Sequence, residues 1–301
     1  MALAILSGIS DGRGGRGTRI VKPASDERGG MTEDVVVSAD WLAGRLDDED
    51  VVVVDVRDEW EYEGIGHLPG AVNVPFDRFR SEEGDEGMLP GRDVWRDLLE
   101  SAGVEATDTL VAYDDTHGVF AARFLVTAEL YGHGDRRLLD GDYSAWTRSH
   151  ETTTAVPDRP RTTYEPTEPA DTPLVGFEAV RAAVEAVRSG DEGTVIVDTR
   201  EAWEYDEGHL PGAVQLDWRE LVDDDTRGLR PRAELEAVLA DHGITPDRRV
   251  VLYCNTARRI SHTYLVLRHL GYEDVDFYEG SLTEWRERGG AMEENEADRT
   301  E

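Results

Sequence analysis

Val54-Asp55-Val56-Arg57-Asp58-Glu59-Trp60-Glu61-Tyr62 returns later in the chain as Val197-Asp198-Thr199-Arg200-Glu201-Ala202-Trp203-Glu204-Tyr205. Gly66-His67-Leu68-Pro69-Gly70-Ala71-Val72 then recurs as Gly208-His209-Leu210-Pro211-Gly212-Ala213-Val214. The arginines are offset by 143 residues and the histidines by 142. Val111-Ala112-Tyr113-Asp114 aligns with Val251-Leu252-Tyr253-Cys254 at offset 140, and Gly141 and Trp146 with Gly280 and Trp285 at offset 139. Matches that stay collinear over this distance mark a duplicated domain, not a short solenoid repeat. The length of 301 residues suits two domains.

The flanks divide the rest. Residues 1–32 read as a disordered or mis-started extension: residues 1–30 are Gly-rich, net positive and hold the single lysine, Lys22. The apolar start, Ala2 to Ile9, lacks the basic region of a secretory signal and is far short of the ~20 apolar residues that span a bilayer. The first domain covers 33–150. A Pro- and Thr-rich linker, extended and semi-rigid, covers 151–173. The second domain covers 174–290, and 291–301 form a polar, acidic tail expected to fray.

Within the second copy, strand signals alternate with helix signals. Thr194–Val197, Val214–Leu216, Val250–Tyr253 and Val275–Tyr278 read as strands. Arg232–Asp241 and Ile260–Leu270 carry helical apolar spacing. Ser281 opens a further helix, with Glu284 placed for a capping box. This alternation predicts an α/β fold with a parallel sheet covered on both faces.

The charge is 32 − 65 = −33. Nucleic-acid binding needs a positive surface, so a nucleic-acid partner is excluded, and docking on an anionic membrane is disfavoured for the same reason. No transmembrane run appears, and the chain is expected to be cytoplasmic. Acid excess with one lysine also reads as salt adaptation, since dense carboxylates repel one another until salt screens them. The composition points to a halophile's protein. One cysteine excludes an internal disulfide and a multi-cysteine metal site.

That cysteine, Cys254, directly follows a strand and precedes a helix, where open α/β sheets bind ligands. The loop reads Cys254-Asn255-Thr256-Ala257-Arg258-Arg259. Loop amides can form an anion-binding nest, the helix N-terminus is positive, and two arginines add charge. Such a field favours the thiolate, which is the nucleophile.

With the Asp-x-Arg strand end, the doubled Gly-His-Leu-Pro-Gly-Ala segment and the six-residue cysteine loop on the page, the chain resembles the two-domain rhodanese sulfurtransferases. The resemblance runs from about Val35 to Gly290. It implies two tandem domains, each a parallel sheet of about five strands flanked by helices. It also implies an inactive first domain, where Asp114 stands opposite Cys254. The implied reaction moves sulfane sulfur from thiosulfate to cyanide or a thiol through a Cys254 persulfide. The loop amides would stabilise its terminal charge. The donor is a small anion, the acceptor a small-molecule or protein thiol, and no metal or organic cofactor is implied.

Arg259 and Arg258 are assigned to the donor's anionic end, with Arg259 pointing into the site and Arg258 facing solvent. Asn255 and Thr256 complete the substrate-binding set, and Asp198 and Arg200 support the loop. Animal thiosulfate sulfurtransferases carry a basic residue where Thr256 stands, whereas the mercaptopyruvate enzymes often carry serine there; animal members of both types carry an arginine where Glu204 stands, so that substrate contact is absent. Thr256 leans toward 3-mercaptopyruvate as the alternative donor. Ala257 replaces the usual loop glycine and resists positive φ.

Other residues have weaker claims. Asp55 and Arg57 repeat the Asp198–Arg200 pair without a cysteine, which favours a structural role for both pairs. His67 and His209 read as turn residues, His262 and Ser261 as helix packing, and Arg123 as a surface ion pair. A rhodanese-fold phosphatase needs arginine six residues after the cysteine, and that position is Ile260. The remaining competitor is a non-catalytic binding module with a relic cysteine.

Overall fold

A computed structural model of the chain describes residues 35–80 and 88–295. The N-terminal extension and the end of the tail lie outside the described residues.

The first half runs β1 (Val36–Val37), α1 (Ala39–Ala43), β2 (Val51–Asp55), α2 (Glu59–Gly64), β3 (Val72–Asn73), α3 (Arg92–Ser101), β4 (Thr109–Tyr113), α4 (Val119–Leu130), β5 (Arg136–Leu139) and α5 (Tyr143–Trp146). The second runs α6 (Phe177–Arg188), β6 (Thr194–Asp198), α7 (Ala202–Asp206), β7 (Val214–Gln215), α8 (Arg232–Asp241), β8 (Arg249–Tyr253), α9 (Arg258–Leu270), β9 (Val275–Phe277) and α10 (Ser281–Glu287).

The strands form two sheets, ordered β1-β5-β4-β2-β3 and β7-β6-β8-β9, and every pairing is parallel. The central strands are apolar on both faces, as Val52, Val53 and Val54 in β2 and Val195 and Ile196 in β6 illustrate. The expected five strands appear in the first sheet and four in the second. There Leu174 makes a lone parallel bridge to Phe277, filling the edge place that β1 takes beside β5.

In each half the chain leaves a central strand for one edge and returns on its other side. The reversal lies between β2 and β4, and again between β6 and β8. The carboxyl ends of those strands therefore border a crevice, and Cys254 follows β8.

One hydrophobic cluster runs through both halves, from Val52 and Phe124 to Leu252 and Leu267, and α4 packs on α9 at its centre. Each sheet's other face has its own cluster, around Trp146 in the first half and Trp285 in the second. Polar bonds also cross the junction. The Tyr264 hydroxyl donates to Glu129 at 2.8 Å. Arg123 is buried and donates to Glu279 at 2.8 Å, so its ion pair is internal and not on the surface.

Residues 151–173 are extended and held along the first half. Thr153 bridges His67, the Tyr164 ring is buried, and the Thr167 N–H donates to the Tyr131 carbonyl. In the second half Glu293 bridges His209 just as Thr153 bridges His67. The start of the tail is thus pinned where fraying was expected. The reason is that the duplication includes the strap that closes over each Gly-His-Leu turn. Among the described residues no helix is long and apolar enough to cross a membrane.

Candidate active site

Asp198 ends β6 in register with Tyr253, the end of β8. Arg200 holds Asp198 at 2.6 Å and donates to the Gly208 carbonyl at 2.8 Å. The Tyr253 hydroxyl accepts the Leu210 N–H at 3.0 Å, and burial with the nearby Asp198 carboxylate pushes its pKa well above the ordinary value. These bonds tie two strand ends to the Gly208-His209-Leu210 turn. Asp55, Arg57, Gly66, Leu68 and Tyr113 make the same set in the first half, where no cysteine stands. The pair is therefore a scaffold on which the loop rests. His209 completes the turn, with its ring 3.7 Å from that of Tyr205 and Nδ1 bonded to the Tyr205 carbonyl.

Cys254 is 2% exposed and leaves β8 under the N-terminus of α10. Its N–H donates to Ser281 Oγ at 3.1 Å, and its carbonyl accepts the Leu282 N–H at 2.9 Å. Thr283 Oγ1 donates to the Asn255 carbonyl at 2.9 Å. The expected capping box at Ser281 does not form. Gly280 is the N-cap, and Ser281, at φ 48°, uses its hydroxyl to join Cys254 to the Tyr278 carbonyl. The loop outcompetes the helix end for this hydroxyl.

Ala257 adopts φ 63° despite its side chain, a left-handed conformation that costs an L-residue about 1–2 kcal/mol. His117, at the matching place in the first half, has φ 54°. The turn is thus kept in both halves without glycine. Ser261 Oγ donates to the Ala257 carbonyl at 2.8 Å and secures it from α9.

The two arginines lie otherwise than their sequence positions suggested. Arg259 Nη1 is 2.5 Å from Glu204 Oε2, and Asn255 Nδ2 donates to Glu204 Oε1 at 2.8 Å. Glu204 is 7% exposed, so one buried carboxylate on α7 grips both flanks of the cysteine loop. Arg259 is consequently already paired. Arg258 does not face open solvent. Its guanidinium is half-buried, lies 5.0 Å from the Phe120 ring centroid, and has no hydrogen bond or ion pair to any described residue. Burial lowers its pKa, and so does the neighbouring charge of Arg259, while the Cys254 sulfur opposes the shift. Thr256 is exposed at the loop crest.

Sequence reasoning missed Glu204, Ser281 and Thr283 as loop supports. Glu204 had a signal, because it sits in the repeated stretch four residues past Arg200. His262 is fully buried on α9, with its ring 5.3 Å from that of Trp218, a packing position.

The family model for the rhodanese-like domain matches residues 38–149 and again 183–288. The chain belongs to the rhodanese family. A Corynebacterium glutamicum protein named thiosulfate sulfurtransferase is 34% identical over 83% of this chain and 87% of its own length. A Pseudomonas aeruginosa protein of the same name is 33% identical over 83% of this chain and 93% of its own. The crystal structure of SseA from Escherichia coli, described as a 3-mercaptopyruvate sulfotransferase, superposes with TM-score 0.71 at 24% identity. It covers 82% of this chain and 98% of that one. As a rhodanese the protein is a sulfurtransferase acting between a small sulfur donor and an acceptor.

Proposed function

We propose that this rhodanese takes sulfane sulfur from thiosulfate onto Cys254 and passes it to cyanide or a thiol. The observation that carries the reading is the placement of the chain's only thiol. It stands at the sheet's crevice, in a loop that carries Arg258, without an ion pair among the described residues, and that is held by three neighbouring helices.

The Cys254 thiolate attacks the outer sulfur of thiosulfate. An S–S bond forms to Sγ, the donor's own S–S bond breaks, and sulfite leaves with the electron pair. The persulfide's terminal charge then faces the loop amides and the N-terminal end of α9. The first half supports this use of the loop. There the carboxylate of Asp114 accepts N–H bonds from Thr116, Gly118, Phe120 and Ala121 at 2.7–3.0 Å. Their counterparts after Cys254 are the amides of Thr256, Arg258, Ile260 and Ser261.

Arg258 supplies the charge that brings an anionic donor to an anionic nucleophile. Arg259 acts through Glu204, Asn255 shapes the loop, Thr256 borders the donor's approach, and Asp198 and Arg200 fix the strand ends. An enzyme whose one thiol must stay reduced belongs in a reducing compartment, which supports a cytoplasmic location.

Whole-protein mass after thiosulfate exposure tests the reading. The protein should gain one sulfur atom, and Cys254→Ser should gain none and lose all transfer to cyanide. An unmodified parent protein would sink the proposal. Kinetics with thiosulfate and with 3-mercaptopyruvate, run side by side in high salt, assign the donor.

A further inference from the structure

A cavity of about 410 Å³ opens at the carboxyl ends of the first sheet, over the Asp114 loop. Its walls include Phe76 and Phe120, in edge contact at 4.8 Å, with Arg80, Asp58 and Glu61 from the first half and Arg258 from the second. Arg258 therefore belongs to two places at once. It flanks the Cys254 loop, and it lines this cavity together with Arg80.

Two like charges brought together beside a cavity are relieved by an anion. Among the described residues Arg80 has one carboxylate partner, the exposed Asp77 at 2.8 Å, and Arg258 has none. The cavity is larger than an inorganic sulfur oxyanion needs and lies in the range that holds small organic molecules. The cavity borders the cysteine loop through Arg258. Asp58, the N-cap of α2, and Glu61 in its first turn give the rim negative charge, as do Asp77, Asp114 and Asp115, which disfavours a simple anion and suits a molecule with both signs.

We propose that this cavity is the acceptor subsite. It takes a small zwitterionic thiol, with the carboxylate on Arg80 and Arg258 and the ammonium toward Asp58 and Glu61. The inference rests on the sulfurtransferase reading above. Sulfite departs before the acceptor enters, so Arg258 serves the donor and the acceptor in turn. The acceptor sulfur then attacks the terminal sulfur of the persulfide. The new S–S bond forms on the acceptor, the Cys254 Sγ–S bond breaks, and the pair returns to Sγ. The acceptor's proton stays with the product persulfide.

Four thiols of related skeleton separate the two charges: cysteine, 3-mercaptopropionate (carboxylate only), cysteamine (ammonium only) and 2-mercaptoethanol (neither). The enzyme is loaded with thiosulfate, desalted and mixed with each, and loss of the sulfur from the protein is timed and expressed per thiolate. Cysteine should exceed 2-mercaptoethanol by at least about tenfold, the usual effect of one good charge contact. Arg80→Ala should erase the advantage of the two carboxylates over their uncharged partners, and Glu61→Gln should reduce that of the two ammonium thiols. Equal rates for all four, or an Arg80→Ala loss shared equally by all four, overturns the acceptor subsite alone. A parent enzyme that fails to load from thiosulfate overturns the sulfurtransferase reading and this one with it.

Discussion

Asp114 occupies in the first half the place that Cys254 occupies in the second. Each follows the tyrosine that ends a central strand, and each carbonyl accepts the N–H of the residue that follows its Gly-Asp or Gly-Ser pair, Tyr143 or Leu282. The Asp114 carboxylate fills its own loop with four N–H bonds, so the first half carries a built-in anion where the second has room for a sulfur. Burial raises the Asp114 pKa against the pull of those donors. Asp114→Ala strands buried amides without an acceptor and should cost about 2–4 kcal/mol of unfolding free energy. Denaturant titration in high salt measures it, and a variant as stable as the parent would rule out the carboxylate as the loop's anchor.

Arg258 and Arg259 should fail differently. Arg258→Ala removes a cation that has no ion pair among the described residues and should lower kcat/KM for an anionic donor by at least about tenfold, roughly 1.4 kcal/mol. Arg259→Ala should also be slow, for another reason: it leaves the Glu204 carboxylate uncompensated beside the nucleophile. Adding Glu204→Gln to Arg259→Ala should then restore part of the lost activity, a coupling that a double-mutant cycle reads directly. If Arg259 itself contacted the donor, the second change would rescue nothing.

The repeated stretches made the duplication and the parallel α/β fold legible, because buried parallel strands are written as apolar runs between helical patterns. Cys254 was legible for the same reason: a strand's end and a helix's start bracket it. What could not be read were contacts across the sheet's switch point. Glu204 lies about fifty residues before Arg259, and only the adjacency of β6 and β8 brings α7 onto the cysteine loop. The orientation of Arg258 was equally hidden, since Phe120, over whose ring it lies, and Arg80, which lines the same cavity, belong to the other half. Ser281 misled because a hydroxyl before a glutamate reads as a cap until another acceptor-seeking N–H, that of Cys254, is placed above it.

Acid should unfold the protein partly through His262. Its ring is fully buried in the shared core, and burial pulls its pKa down to about 3. The folded state thus keeps His262 neutral at pH values where the unfolded chain binds a proton, starting near the ordinary histidine pKa of about 6.5. The stability is whole above that value and drains away as pH falls from there toward 3, by at most about 1.4 kcal/mol per pH unit for one proton. His133, lowered by burial too, adds in the same direction. His262→Leu should flatten the fall in urea midpoint between pH 6.5 and the carboxylate range by close to one proton's worth. An unchanged slope would exclude His262 from the acid response.

Salt should stabilise this protein, and the direction follows from a competition. Exposed ion pairs such as Arg161 with Asp97 and Glu100, or Arg181 with Glu178 and Glu185, weaken as ions screen them. Each is worth only about 0–1 kcal/mol. Against them stand 65 acidic residues and only 32 basic ones, so 33 carboxylates have no basic counterpart even if every arginine and the lysine are paired. Their mutual repulsion reaches across the surface at a Debye length of about 10 Å in 0.1 M salt and is confined to about 3 Å in molar salt. Folding concentrates these charges, so screening favours the folded state. The melting temperature should therefore climb steadily as KCl rises from low to molar concentration. Sucrose, which stabilises by exclusion from the surface without screening charge, separates the two causes. A halophile's protein should gain far more from KCl than from sucrose at matched osmolality. A melting temperature that is flat in KCl, or one that sucrose raises equally, would mean that the acidic surface is not under electrostatic strain.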